Sequence, residues 1–311
     1  MSAPLVVVAL GGNALLRRGE PPEPGRELER ARAAAEALAP LSSAWRLVIT
    51  HGNGPQVGLL ATQQRDVPLD ILGAQTEGAI GHELTLGLRD ALPDRQIATL
   101  VTQTLVDAAD PAFDHPTKPI GAMLDPDAVA ELQRAREWTI ARDGDGWRRV
   151  VASPEPLAVL EHQVVRLLAD ADVVVVCAGG GGIPVVRDGT RHRGVEAVVD
   201  KDLASARLAV DVGAAALVLL TDVAAVQTGW GTPQAQPLAT IDRATAAALG
   251  LAAGSMGPKV EAGLRFAEAT GGLAAIGALD DAAAVVAGRA GTRCIAATPS
   301  TIEGAGPCVA S

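Results

Sequence analysis

Two lysines stand where helix physics disfavours them. In "AAGSMGPKVEAGLRF", residues 252–266, a glycine-rich turn runs into an amphipathic segment with Pro258 and Lys259 at its mouth. Proline suits the first helical position, whose N–H has no intrahelical partner, so the spacing predicts a helix starting here with Ser255 or Gly257 as its cap. Lys259 then falls in the first turn, where the helix dipole opposes a cation by roughly 0.3–1 kcal/mol. "GVEAVVDKDLASARLAV", residues 194–210, repeats the arrangement: Asp200 is a good N-cap, Lys201 follows in the first turn, and Asp202 flanks it. An anion at both helix mouths would relieve both conflicts, because free N–H groups there bind phosphate and a lysine completes the neutralisation. For either lysine alone, a solvated charge tolerated at small cost is the competing reading.

Glycine clusters supply a second signal. "GGN" (11–13), "HGNG" (51–54), "GGGG" (179–182) and the polar "TDV" (221–223) each follow an apolar run. Loops without side chains let backbone N–H groups approach an anion closely, although the same clusters also serve as plain tight turns. Other chemistries fit less well. "GK" never occurs, which removes the Walker A loop, and "GNGPQVG" (Gly52–Gly58, with Asp70 downstream) is an off-spacing version of the dinucleotide fingerprint, leaving an oxidoreductase as the rival class. His82 and Glu83 open an HExxH pattern that fails at Leu86, and no GxSxG elbow occurs. His51 reads as structural and Cys177 as core.

The elements that must carry these residues are legible as short β-branched runs alternating with Ala- and Leu-rich stretches. The runs are "LVVVAL" (5–10), "RLVIT" (46–50), "IATLVTQ" (97–103), "DVVVVCA" (172–178), "ALVLLTD" (216–222) and "LAAIGAL" (273–279). Continuous apolar runs indicate strands buried on both faces, hence an α/β fold with a parallel sheet. Ligands of open α/β sheets bind beyond the carboxyl ends of the strands, so the glycine clusters should converge on one crevice. Residues 107–156 break the rhythm. They contain "DPAFDHPTKPIGAMLDPD", a short helix entered at Asp125 and Pro126, and "WTIARDGDGWRRVV", a hairpin around Asp143 to Gly146, and they read as an insertion standing off the main sheet.

The chain has 311 residues and a net charge of -10, which argues against nucleic acid or an anionic membrane as its partner. That length fits two lobes around a cleft. Three cysteines in no metal-ligand spacing point to a reduced, cytoplasmic protein. The N-terminal arginines follow the apolar run, the reverse of a signal peptide, and no apolar run reaches transmembrane length. With four Trp, two Phe and no Tyr, the core must be aliphatic.

In order along the chain, "VVALGGNAL", "THGNGPQVGLL", "PLDILGAQTEGAIG", "PTKPIG", "GWRRVVASPEP", "GGGGIPVV", "GVEAVVDKD", "LTDV" and "GSMGPKVEA" resemble the carbamate kinases of the amino-acid kinase family, from about residue 5 to residue 266. The resemblance implies a three-layer αβα sandwich with a mainly parallel central sheet, a small protruding subdomain over about 107–156, and a homodimer. It implies an N-terminal lobe (1–160) for carbamate or carbamoyl phosphate and a C-terminal lobe (161–311) for the nucleotide. The reaction would be ATP + carbamate = ADP + carbamoyl phosphate with Mg²⁺, for which no protein ligand is named. Gly11, Gly12, Asn13, Gly52, Asn53 and Gly54 would bind the carbamate and the moving phosphoryl group. Lys201 and Lys259 would neutralise the phosphoryl oxygens, Asp202 would hold the two ammonium groups, and Lys118 would close over from the subdomain. Thr221, Asp222, Trp230, Met256, Gly257 and Pro258 would line the nucleotide site. A same-fold alternative is a phosphotransferase acting on another small carboxylate or phosphonate, and a non-enzymatic one is a nucleotide-sensing subunit. The chain departs from its relatives at His82, where Tyr is usual, at "QTEG" (75–78), at a shorter loop before "PLD", and at Trp230 in place of a tyrosine.

Overall fold

A computed structural model of the chain describes residues 3–12, 24–64, 66–136, 138–251 and 256–296; Asn13, Ser255 and Cys308 lie outside them. The apolar runs become one sheet. Its strands are β1 (Leu5–Leu10), β2 (Arg46–His51), β3 (Ile97–Thr99), β9 (Val174–Val176), β12 (Ala216–Thr221), β15 (Thr240–Ile241), β16 (Leu273–Ala278) and β17 (Thr292–Cys294). Among the described residues the order is β15-β17-β16-β12-β1-β2-β9-β3, and every pairing is parallel except β16 with β17. All six positions of β1 and of β12 are buried, so the sheet needs helices on both faces.

Alternation along the strands sorts the two layers. Val6, Val8 and Leu10 face α1 (Pro24–Leu38), α3 (Leu69–Ala91) and α9 (Ala282–Val286), through Ala34, Leu38, Ile80, Leu84 and Val285. Val7, Ala9, Leu217 and Leu219 face α5 (His162–Asp170), α6 (Lys201–Asp211) and α8 (Met256–Thr270), through Val165, Leu208, Leu264 and Phe266. The result is the expected three-layer αβα sandwich. The helix α7 (Arg243–Leu249) is capped by Asp242, whose carboxylate accepts from Thr245 N.

The run "IATLVTQ" is not one strand. β3 ends at Thr99, and the chain re-forms as β4 (Gln103–Leu105) in a second sheet with β8 (Ala158–Val159), β10 (Ile183–Asp188) and β11 (Arg191–Gly194), ordered β11-β10-β4-β8. The break is at Thr102, whose N–H and hydroxyl both turn to the buried Glu77 carboxylate. A two-residue pair, β13 (Gln227–Thr228) with β14 (Gln236–Pro237), edges the C-terminal half.

The protruding segment is a three-stranded antiparallel sheet, β5 (Lys118–Leu124), β7 (Gly146–Val151) and β6 (Ile140–Asp143), with α4 (Pro126–Arg136). Asp143 pairs with Gly146 across a two-residue turn in which Gly144 has φ 61°, as the hairpin reading requires. Both of its tryptophans lie under arginines: Arg149 is 4.5 Å from the Trp138 ring centre and Arg142 is 5.4 Å from that of Trp147. The segment rejoins the body where Val198 N donates to Ala152 O at 3.0 Å. Among the described residues no helix is long and apolar enough to cross a membrane.

Candidate active site

Four strand ends meet. Gly11, after β1, donates to Leu220 O of β12 at 2.9 Å, and Gly52, after β2, donates to Leu10 O at 3.2 Å. A Cβ placed on Gly52 would lie 3.1 Å from Gly12 Cα and 3.5 Å from Lys201 Cδ, so the "GGN" and "HGNG" loops touch and the stem of Lys201 lies against them. Gly54 opens the helix α2 (Gly54–Gln63). Asn53 is buried, donates through Nδ2 to Thr76 Oγ1 at 2.9 Å, and packs on Gly180 of the "GGGG" loop. The convergence expected of the glycine clusters is therefore present.

Asp200 caps α6, its Oδ1 accepting from Asp202 N at 2.9 Å and Leu203 N at 3.3 Å. That leaves Lys201 as the first helical residue. Its carbonyl accepts from Ser205 Oγ at 2.5 Å, and Ser205 shares a 2.6 Å hydrogen bond with Thr50 of β2, which fixes the start of α6 to the sheet. Lys259 is the fourth residue of α8 as described, buried, and Pro258 precedes it within the helix. Gly257 is thus inside the helix and not its cap, a correction to the sequence reading; proline in the first turn gives up an N–H that has no intrahelical partner there.

Both lysines converge on one carboxylate. Lys259 Nζ donates to Asp202 Oδ2 at 3.0 Å, and Lys201 Nζ donates to Asp202 Oδ1. Burial raises the Asp202 pKa, but the two ammonium groups outweigh it and hold the value at about 2. Burial also lowers the Lys201 pKa, opposed by Asp202 and reinforced by the neighbouring Lys259 charge. Two ammonium groups against one carboxylate leave a surplus positive charge at the mouths of two helices. The conflict with the helix dipoles is thus partly met by protein carboxylates, and the surplus is suited to an anion. From the protruding sheet, Lys118 Nζ donates to Asp200 Oδ2 at 2.5 Å.

On the other side, Thr221 ends β12 next to Gly11, and its hydroxyl donates to Asp222 Oδ1 at 3.0 Å. Met256, Gly257 and Pro258 form the start of α8 and are half-buried. Trp230 stands on the turn between β13 and β14 and is 68% exposed. Among the described residues no group of three or more His, Cys, Asp or Glu could hold a metal. His51 is fully buried. Burial lowers its pKa to about 4, opposed by the Gly52 carbonyl and helped by Lys201.

Sequence reasoning missed the Lys118–Asp200 pair and the polar groups under the loops: Thr76, Glu77 and Thr102. Glu77 did leave a signal, since it occupies the buried stripe of α3 between Leu72 and Ile80. The "GNGPQVG" stretch does run from strand into helix, yet its last glycine has a packing reason. A Cβ on Gly58 would lie 1.9 Å from Gly121 Cα of β5.

Comparison with known proteins agrees with this geometry. The family model described as the amino acid kinase family matches residues 4–277. A carbamate kinase from Rhizobium meliloti is 48% identical over 297 residues, covering 92% of each chain. A solved carbamate kinase from Giardia lamblia bound to citric acid superposes with a TM-score of 0.88 at 36% identity, covering 95% of this chain and 99% of that one. The same enzyme bound to AMP-PNP gives 0.85 over the same shares.

Proposed function

The chain belongs to the amino acid kinase family, and we propose from that premise that it works as a carbamate kinase: ATP + carbamate = ADP + carbamoyl phosphate. The observation that carries this is the pairing of Lys201 and Lys259 on Asp202 at two helix mouths beside the glycine loops. Phosphoryl transfer asks the protein for position and charge more than for covalent chemistry, and this site offers both without a nucleophile.

Lys201 and Lys259 neutralise the equatorial oxygens of the moving phosphoryl group, and Asp202 aims them. Backbone N–H groups of Gly12 and Gly54, with the amides of Asn13 and Asn53, orient carbamate against it, and Gly11 and Gly52, whose N–H groups are bonded to Leu220 O and Leu10 O, leave room for it by lacking side chains. Thr221, Asp222, Trp230, Met256, Gly257 and Pro258 line the nucleotide side. In this division residues 1–160 serve the carbamate side and 161–311 the nucleotide side, with the protruding segment 107–156 as a lid carrying Lys118. Mg²⁺ would arrive with the nucleotide as part of the substrate; Asp200 and Asp202 are already paired with lysines, which fits a cation held mainly by phosphates and water. A homodimer is supported by exposed Val101, Leu157, Val164 and Leu167 around the β3–β4 connector, β8 and α5. A cytoplasmic location is supported by the buried free thiols of Cys177 and Cys294.

The deciding assay mixes the protein with Mg²⁺, ADP and carbamoyl phosphate and measures ATP. ATP formation at the rate of an efficient kinase is expected. Its absence, with phosphorylation of another small acid, would assign a different acceptor.

A further inference from the structure

Glu77 lies on α3 with its side chain fully buried, and among the described residues no cation is bonded to it. Its partners are neutral donors. Thr102 N reaches Oε2 at 3.1 Å, and Thr102 Oγ1 and Gly179 N both reach Oε1 at 2.8 Å. The network then closes around the glycine loop. Ala178 N donates to Thr102 Oγ1 at 2.8 Å, and Thr104 Oγ1 donates to Gly181 O at 2.7 Å.

The loop so held touches both halves of the phosphoryl site. A Cβ on Gly180 would lie 2.2 Å from the Asn53 side-chain amide, and one on Gly181 would lie 2.5 Å from Val199 O, the residue before Asp200 and Lys201. A Cβ on Gly179 would meet His51 Cε1 at 2.4 Å and Glu77 Cγ at 2.8 Å, so the Glu77 stem and the imidazole together fill the space above that glycine. Thr76, one residue before Glu77, takes the Asn53 amide itself.

We infer that Glu77 is a positioning residue for phosphoryl transfer, clamping Gly179–Gly182 so that Asn53 and the segment leading to Lys201 keep their places. This rests on the carbamate kinase reading for what Asn53 and Lys201 do. A buried carboxylate without a cation is costly, and burial pushes the Glu77 pKa up to about 7, opposed by the Thr102 and Gly179 donors and helped by Glu161. The titratable groups packed around it are Glu161 before α5, His51 at the end of β2, and Cys177 after β9. Ionised, Glu77 accepts all three hydrogen bonds. Those hydrogen bonds offset only part of the cost of the buried charge, so above about pH 7 any opening that lets water reach the carboxylate is favoured.

The test uses Glu77→Gln and Thr102→Val, with Glu83→Gln as a control. Glu83 is on the same helix, and its pKa is likewise raised to about 7, by burial and by Glu27, but it has no place in this network. Steady-state kinetics with ADP and carbamoyl phosphate are paired with hydrogen exchange of the peptide covering residues 178–182, followed from pH 5.5 to 8.5. Each of the two network variants should lower kcat/KM for carbamoyl phosphate by about tenfold while KM for ADP stays within about twofold. In the wild type, loop exchange corrected for intrinsic rates should rise as pH climbs through 7, because opening relieves the buried charge, and Glu77→Gln should flatten that dependence. Wild-type kinetics in Glu77→Gln, equal rises in both KM values, or loop exchange that neither variant changes would overturn the clamp. If the wild type itself makes no ATP, the reaction assignment fails, while the exchange arm still reports whether Glu77 holds the loop.

Discussion

Lys118 and Asp200 are 82 residues apart in the chain, yet Lys118 Nζ donates to Asp200 Oδ2 at 2.5 Å. One carboxylate thus fastens the protruding sheet with one oxygen and caps α6 with the other. The protruding sheet and the helix bearing Lys201 share an anchor, and Lys118 is bonded to the cap of that helix. Pro119 biases Lys118 toward the extended backbone of β5, which aims it from above.

Lys118→Ala should therefore raise KM for carbamoyl phosphate far more than KM for ADP, with kcat also falling where closure excludes water. Steady-state kinetics separate the two constants. Equal rises in both would mean that the segment shapes the whole cleft and does not act as a lid.

Removing Lys201 or Lys259, the two lysines proposed to hold the phosphoryl group, should cost turnover and not folding. Lys201→Ala and Lys259→Ala should each lower kcat by about 10²–10³-fold, the usual effect of deleting one charge-stabilising donor in a dry site. Either change leaves Asp202 with one ammonium partner, so the buried charges still balance. Asp202→Ala is different, since it strands two buried ammonium groups, and breaking a buried pair this way costs about 3–5 kcal/mol. Thermal melts should rank Asp202→Ala well below both lysine variants. A lysine variant keeping more than a third of wild-type turnover would remove that residue from the mechanism.

The layers and the lysines were legible in the sequence for the same reason: each depends on near neighbours. Runs such as Leu5–Leu10 carry their burial in their own composition, and Lys201 and Lys259 stand out against the helix starts that "DKD" and "GPK" announce. What escaped depends on distant partners. Nothing local marks Thr102 as the point where 97–103 breaks, because its partner Glu77 is 25 residues earlier. Strands of two to four residues, such as β8 and β11, are too short to show a period. Lys118 could be assigned to the site only by resemblance, since its carboxylate partner comes from another sheet's connection. Asn13 and Ser255 lie outside the described residues.

Glu77 should also write a pH signature on stability. Its pKa rises from the ordinary 4.5 to about 7 on folding, so the folded state holds a proton that the unfolded chain has lost. Stability from this group is full below 4.5 and is lost as pH climbs through 7. Across that window the loss is up to about 3 kcal/mol, and Glu77→Gln, which cannot ionise, escapes it. The melting temperature of the variant relative to wild type should therefore improve steadily from pH 4.5 to pH 8. A difference that does not change with pH would mean that Glu77 carries no such charge cost.

The protruding sheet also has a seat that side chains cannot occupy. β5 crosses α2 with Gly121 directly on Gly58, and a Cβ on Gly58 would fall 1.9 Å from Gly121 Cα and the same distance from its N. Both obstacles are backbone, so neither can swing aside; the sheet must lift. Lifting β5 draws Lys118, its first residue, away from Asp200. Gly58→Ala should then reproduce the kinetic pattern of Lys118→Ala, with KM for carbamoyl phosphate raised and ADP binding retained in isothermal titration. Combining the two substitutions should add little to either, because both act by taking the same ammonium group out of place. Fully multiplicative losses in the double variant would mean that Gly58 serves α2 and the "HGNG" loop directly, without the lid.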